Sequence, residues 1–137
     1  MSLHLFGAGT TSLLLRLGLG IEFVIFGFGK LTDLPSWIGF VPPWMSPFLP
    51  ISTAMFLQAV GVGELILGVL LIAGLWVRVI AALSALHLLG VLIALGYNDL
   101  AVRDFVSFMA ALALFALGYA SCQYSIDGRR EATSRQP

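Results

Sequence analysis

The sequence predicts an all-α integral membrane protein whose four helices pack as one bundle. Hydrophobic residues make up 59% of the 137 residues, the mean hydropathy is +1.00, and only 10% of the residues are charged. Because soluble chains carry about 25% charged residues, this composition excludes an ordinary water-soluble domain. The chain also contains four apolar stretches close to the roughly 20 residues that a helix needs to cross a bilayer.

The four predicted spans cover residues 11–31, 52–75, 78–95 and 102–121. No Lys or Arg precedes Arg16, and Arg16 and Glu22 interrupt the first apolar stretch, so we expect a retained helix there and not a cleaved signal peptide. Short connections follow the second and third spans, the latter carrying turn residues at 96–99. We therefore predict one four-helix domain over residues 1–124, followed by a frayed polar cytoplasmic tail over 125–137.

The first connection is long and rich in proline and aromatic residues. Residues 32–51 contain five prolines, which prevent a long helix, interspersed with Trp37, Phe40, Trp44 and Phe48. Two interpretations remain open. The segment is either an anchor at the level of the lipid headgroups, where tryptophan is favoured, or a lid that shapes a ligand entrance at the mouth of the bundle.

Four spans place both termini on the same side of the membrane. The connection and the tail on that side contain four arginines, whereas the other side has Lys30 and Arg103. The positive-inside rule then places both termini in the cytoplasm.

Every predicted span carries an ionisable residue on a stripe of small residues. At helical spacing the stripes are Gly18, Glu22 and Gly29; Gly61, Glu64 and Gly68; Ser84, His87, Gly90 and Ala94; and Asp104, Ser107, Ala111 and Gly118. Small residues let membrane helices approach closely, and a charge inside the bilayer by default marks a functional site. We predict that a polar seam in the bundle forms a ligand-binding site, made of Arg16, Glu22, Glu64, His87, Arg103 and Asp104.

Within this seam, estimated depths favour two ion pairs, Arg16 with Glu64 and Glu22 with Arg103. Structural interpretations stay open beside them. The two glutamates would then only fix the helix register, and Arg16 would reach to the cytoplasmic interface. His87 would be a hydrogen-bonded core residue.

Other charged residues have simpler interpretations. Arg103-Asp104 suits the charged start of a helix, because an acidic residue in the first turn interacts favourably with the helix dipole. Lys30 and Arg78 are interpreted as interfacial anchors.

The sequence offers no motif for a metal or a covalently bound cofactor. Cys122 is the single cysteine, and the only histidines are His4 and His87, so neither a metal-ligand spacing nor an intramembrane bis-histidine haem site is expected. The formal net charge of zero argues against nucleic acid as a partner.

Several short motifs, in order, resemble the DoxX family of small four-helix membrane proteins. They are Arg16, residues 27–31 (Gly-Phe-Gly-Lys-Leu), residues 63–68 (Gly-Glu-Leu-Ile-Leu-Gly), Gly74-Leu75 with Arg78, Arg103-Asp104 and Gly118. The long first loop departs from the family pattern. The resemblance implies a prokaryotic plasma membrane protein. Some relatives are membrane subunits of thiosulfate:quinone oxidoreductases, others are linked to quinone or thiol stress, and the broader clan includes carriers.

Three functions are compatible with these observations. The first is a membrane subunit or anchor of a redox system that binds a quinone at the seam and works with a soluble or membrane redox protein. The second is a structural or assembly protein whose seam only specifies helix packing. The third is a small carrier that works as a homo-oligomer.

Overall fold

The computed structural model describes the backbone of residues 7–134 and the side chains of residues 7–118. The described chain is all-α, as predicted, and contains no strand. Four of its helices are long and apolar enough to cross a membrane, so this is an integral membrane protein. The five helices are α1 (Ala8–Thr32), α2 (Leu34–Ile38), α3 (Thr53–Ala73), α4 (Val77–Leu95) and α5 (Asp99–Ser134).

The long helices begin and end within a few residues of the predicted spans, except at the C-terminal end of α5. There the helix continues to Ser134, so residues 125–134 are helical and not a frayed tail. The last three residues of the predicted tail lie outside the described residues.

Local hydrogen bonds and glycines set the helix ends. The Ser52 side chain accepts a hydrogen bond from the Met55 backbone N–H at the start of α3. Gly74 ends α3 in the left-handed conformation (φ 75°), which glycine adopts without strain. Before α5, the Asn98 side chain accepts from the Ala101 N–H at 2.8 Å. These caps satisfy backbone groups that the helices leave free.

The closest helix contact joins α1 and α3, which run antiparallel with glycine facing glycine. A Cβ atom built on Gly27 would lie 2.6 Å from the Gly61 carbonyl oxygen, and one on Gly68 would lie 2.7 Å from that of Gly20. These separations leave no room for a side chain, so the two backbones are in direct contact. The contact confirms the predicted Gly61–Gly68 stripe of α3, but on α1 it uses Gly20 and Gly27, not Gly18 and Gly29.

The helices are arranged so that α3 and α4, although consecutive, are not close neighbours. Extensive contacts join α1 to α3 and α4 to α5, and α1 also touches α5, whereas α3 and α4 pack against each other much less. A hydrophobic core fills the centre between α1, α4 and α5, with Leu71 of α3 and Leu114 of α5 fully buried. The weak contact between α3 and α4 leaves space for the cavity described next.

The long first connection folds over one end of the bundle, here called the loop end. It contains α2 and a single 3-10 turn at Ser46–Phe48. Trp37, Phe40 and Met45 line the cavity, although Phe40 is also partly exposed, whereas Trp44 and Phe48 are exposed and do not line it. The segment thus has the geometry of a lid on one face and an apolar surface suited to the membrane interface on the other.

Candidate functional site

A cavity of about 710 Å³ opens between α3 and α4 and extends towards the loop end. Its volume is in the range of small-molecule sites, roughly 300–1,000 Å³. Its walls are mostly apolar and aromatic, with a few ionisable side chains among them. The charged or titratable lining residues are Glu22, Lys30, Glu64, His87, Arg103 and Asp104.

The centre of the polar wall is a cluster of three side chains from three helices, of which Lys30 and Glu64 are buried and His87 is partly exposed. Lys30 Nζ donates a hydrogen bond to Glu64 Oε2 at 2.6 Å, and His87 Nε2 lies 3.0 Å from Glu64 Oε1. Only 5% of Glu64 and 8% of Lys30 is exposed. Because a charge in the bilayer is costly without a partner, the ammonium group stabilises the carboxylate here.

The contact with Glu64 fixes the tautomer of His87. An ionised carboxylate only accepts hydrogen bonds, so a neutral imidazole that contacts it carries its proton on Nε2 and donates it to Glu64. Nδ1 is then an acceptor, and no described residue donates to it. The ring also packs against Phe23, with centroids 5.8 Å apart. The cluster therefore presents an oriented imidazole to the cavity wall.

A second polar group contributed by α1 and α5 lines the same cavity. The Ser107 hydroxyl donates to the Glu22 carboxylate, 2.8 and 2.7 Å from its two oxygens. Arg103 donates to Asp104 Oδ1 from Nε at 3.1 Å and from Nη2 at 2.9 Å, and its guanidinium carbon lies 4.5 Å from the Phe26 ring centroid. Asp104 is buried in the sixth position of α5, so the expectation that it lies in the first turn of the helix is wrong.

Both ion pairs expected from the sequence are wrong. Glu64 binds Lys30 and His87, and Glu22 binds Ser107, while Arg103 binds its neighbour Asp104. The glycine contacts set α1 against α3 so that Arg16 lies level with about residue 72, eight residues from Glu64. At 1.5 Å per residue that is a separation of about 12 Å along the bundle, which explains why the depth estimate failed.

Arg16 lies at the opposite end from the cavity and caps α3. Its Nε donates to the Leu71 carbonyl at 3.0 Å and its Nη2 to the Ile72 carbonyl at 3.2 Å. The guanidinium occupies the space where a side chain on Gly74 would lie. Arg16 therefore satisfies helix-end carbonyls, and it alone among the six predicted seam residues does not line the cavity.

Sequence reasoning missed Lys30 as a contributor, whereas Trp37 belongs to the segment for which the lid interpretation was left open. The interpretation of Lys30 as an interfacial anchor is wrong, because Lys30 falls on the buried face of α1, at helical spacing from Phe23 and Gly27. This spacing is visible in the sequence. The Trp37 ring lies over the Lys30 ammonium group, 4.2 Å from Nζ to the ring centroid. A Cβ on Gly29 would lie 3.0 Å from Trp37 Nε1, so this glycine makes room for the indole.

The comparison with known families covers α1, α3 and α4 with their motifs, and the match ends before α5. The model of the DoxX family matches residues 11–98, well over half of the chain. The chain belongs to the DoxX family. No curated protein matches it, and no solved structure does either.

The part of this DoxX protein that matches the family contains most of the polar cluster. Residues 11–98 include the whole Lys30–Glu64–His87 cluster and the Arg16 cap, whereas Arg103, Asp104 and Ser107 of α5 lie beyond it. The first three long helices therefore supply the central cluster, and α5 supplies the second polar group.

Proposed function

We propose that this DoxX protein is a membrane subunit or anchor of a quinone-linked redox system, and that its cavity holds the quinone ring. The observation that carries the proposal is the Lys30–Glu64–His87 cluster in the wall of an otherwise apolar and aromatic cavity. Small-molecule sites are generally built this way, with a few polar groups that orient an apolar ligand. A quinone has an apolar ring and two oxygens that need such groups.

The cluster has the chemistry to accept a proton from a quinol. His87 Nδ1, the free acceptor of the ring, would receive the hydroxyl proton, and Glu64 would stabilise the imidazolium that forms. Glu22, which has the Ser107 hydroxyl as its described partner, is the second acceptor. When the quinol is oxidised, its two electrons would pass to a soluble or membrane redox partner. When the quinone is reduced, the partner would supply the two electrons instead.

The proposed orientation places both termini in the cytoplasm and the loop end on the outer side of a bacterial or archaeal plasma membrane. In that arrangement the cavity lies in the outer half of the bilayer. A redox partner that exchanges electrons with the ring would dock at the loop end or supply its own carrier from that side.

Quinone occupancy after gentle purification tests the proposal. Wild type purified in mild detergent from quinone-containing membranes should retain quinone, detected by native mass spectrometry and by extraction. His87→Leu should lose most of it. Arg16→Gln is the matched control, because it removes a polar contact far from the cavity and should retain quinone even though it is less stable.

Three results would contradict the quinone site. These are a wild-type protein without quinone after reconstitution in quinone-rich lipid, equal quinone occupancy in His87→Leu and wild type, or equal loss of quinone in Arg16→Gln and His87→Leu.

The structural alternative has its own support in the Lys30–Glu64 pair, which connects α1 to α3. It predicts that Glu64→Gln changes stability without changing quinone-dependent growth or protection.

A further inference from the structure

The cavity has a side opening between α3 and α4 that faces the membrane. Gly63 of α3 and Gly90 of α4 line the cavity and are exposed. Leu83 and Leu86, on the α4 side, are also lining residues, and they are 47% and 66% exposed. Because these helices cross the apolar part of the bilayer, groups exposed between them meet lipid chains and not water.

The two glycines leave this opening free. A Cβ atom on Gly63 or on Gly90 would meet no atom within 4 Å, whereas one on Gly27 or Gly61 would lie within 3 Å of the facing backbone. Glycines of the first kind do not serve helix contact. Glycine costs about 1 kcal/mol relative to alanine inside a helix, and at Gly63 and Gly90 no close packing offsets that cost.

The loop end has a partial aromatic cover. Trp37 lies over Lys30 and packs edge-on against Phe26, with ring centroids 5.7 Å apart. Phe40 packs against Trp37 in turn, at 6.0 Å, and is itself 47% exposed. Trp37 thus covers Lys30 on the aqueous side, and the side opening offers a separate route to the cluster from the bilayer.

We infer that the opening between Gly63 and Gly90 is a lateral portal for the isoprenoid tail of a membrane quinone. The inference rests on the proposed function. The ring moves sideways from the bilayer to the Lys30–Glu64–His87 cluster, and the tail stays in the portal and continues into lipid. A tail in this position never leaves an apolar environment, so binding needs no extraction of the tail into water.

Trp37 provides a direct probe of the ring position. In a Trp44→Phe, Trp76→Phe background it is the only tryptophan, and both replaced residues are exposed and do not line the cavity. Quinones quench tryptophan fluorescence at short range. The background protein is titrated in nanodiscs with two probes: a benzoquinone with a long isoprenoid tail, and the same ring with a methyl group in place of the tail.

Leucine is then placed at each glycine of the portal in separate variants. Gly63→Leu and Gly90→Leu should each raise the Kd of the long-tailed probe, measured by quenching of Trp37, about tenfold, which is equivalent to about 1.4 kcal/mol. The Kd of the short probe should change less than about twofold. Gly18→Leu is the matched control, because Gly18 is also exposed with no atom within 4 Å of a Cβ but does not line the cavity. It should leave both titrations unchanged.

The outcomes separate the portal from the quinone site. Unchanged affinity for the long-tailed probe in both portal variants overturns the portal, as does an equal loss for both probes, which would mean that leucine fills the ring site itself. If neither probe quenches Trp37 in the background protein, the quinone site is wrong and the portal falls with it. Because the two portal variants lie on different helices, one that fails to fold leaves the other to decide.

Discussion

Glu64 shows how a single side chain can be both a structural and a chemical centre in a membrane protein. Its two oxygens bind residues of two other helices, Lys30 of α1 and His87 of α4. The pair with Lys30 compensates the charge, and the contact with His87 orients the ring. Through His87 the contact also links α4 to the α1–α3 pair at the cavity.

Removing one partner of the buried pair should cost more than removing both. Lys30→Met leaves the Glu64 charge without its cation, and breaking such a pair typically costs about 3–5 kcal/mol. In Lys30→Met/Glu64→Leu no uncompensated charge remains, so we expect most of that loss to be recovered. The free energy of unfolding in detergent, titrated with a denaturing surfactant, measures both variants.

Asp33→Asn is the control for this cycle, because Asp33 is an exposed carboxylate close in sequence to Lys30. Its unfolding free energy should stay near that of the wild type. A double variant that is no more stable than Lys30→Met would show that the contact is not a compensated ion pair.

Two buried serines allow a matched comparison, because one hydroxyl has a described hydrogen-bond partner and the other has none. Ser84 Oγ is fully buried and has no hydrogen-bond partner among the described residues, whereas Ser107 donates to Glu22. Ser84→Ala should be neutral or stabilising by up to about 1 kcal/mol, and Ser107→Ala should destabilise by about 1–3 kcal/mol. The same unfolding measurement compares them, and the reverse order would contradict the described contacts.

At the scale of the helices, α1 and α3 form the most tightly interlocked pair. Their glycines meet at two levels, Gly20 with Gly68 and Gly27 with Gly61, seven residues apart on each helix. Seven residues is close to two helical turns, so both contacts lie on one face. Lys30 lies on the same face of α1 as these glycines, and its ammonium group can therefore reach Glu64.

A methyl group should therefore have opposite effects on two glycines of α1. Gly27→Ala puts a Cβ 2.6 Å from the Gly61 carbonyl and must separate the helices, at a cost of about 1–3 kcal/mol. Gly18→Ala meets no atom within 4 Å and should gain about 0.5–1 kcal/mol from helix propensity. Thermal unfolding in detergent compares them. Equal effects would show that α1 and α3 are not in backbone contact.

The sequence could predict the helices and the helix face on which most ionisable residues lie. It could not predict which faces of two helices pack against each other. Hydropathy located the four spans, and helical spacing placed Glu64, His87 and Asp104 on faces that the structure buries or turns to the cavity. Partner choice failed because it depends on the relative shift of antiparallel helices. That shift is set by the two glycine pairs, and a single sequence does not show which glycines meet. For the same reason Arg16 was paired with Glu64, about 12 Å too far along the bundle.

At the scale of the whole molecule, the two ends of the bundle differ. The loop end has the cavity, the aromatic cover and the second polar group, whereas the opposite end is closed by the Arg16 cap and the short connection at 74–76. Charge follows the same division. The positive-inside rule counts lysine and arginine, and the count favours the opposite end. Lys30 and Arg103 belong to the loop end, whereas the sequence places four arginines (Arg78, Arg129, Arg130 and Arg135) on the other side of the spans.

This asymmetry predicts the orientation of the protein, with the loop end outside and both termini in the cytoplasm. In a Cys122→Ser background, Tyr97→Cys places a thiol at the loop end and Leu75→Cys places one at the opposite end, and both positions are exposed. A membrane-impermeant maleimide should label Tyr97→Cys in intact cells and Leu75→Cys only after permeabilisation. The Cys122→Ser protein without a second change should stay unlabelled. The reverse pattern would invert the orientation and place the cavity in the inner half of the bilayer. Labelling of both thiols in intact cells would show that α4, which separates the two positions, does not carry the chain across the membrane.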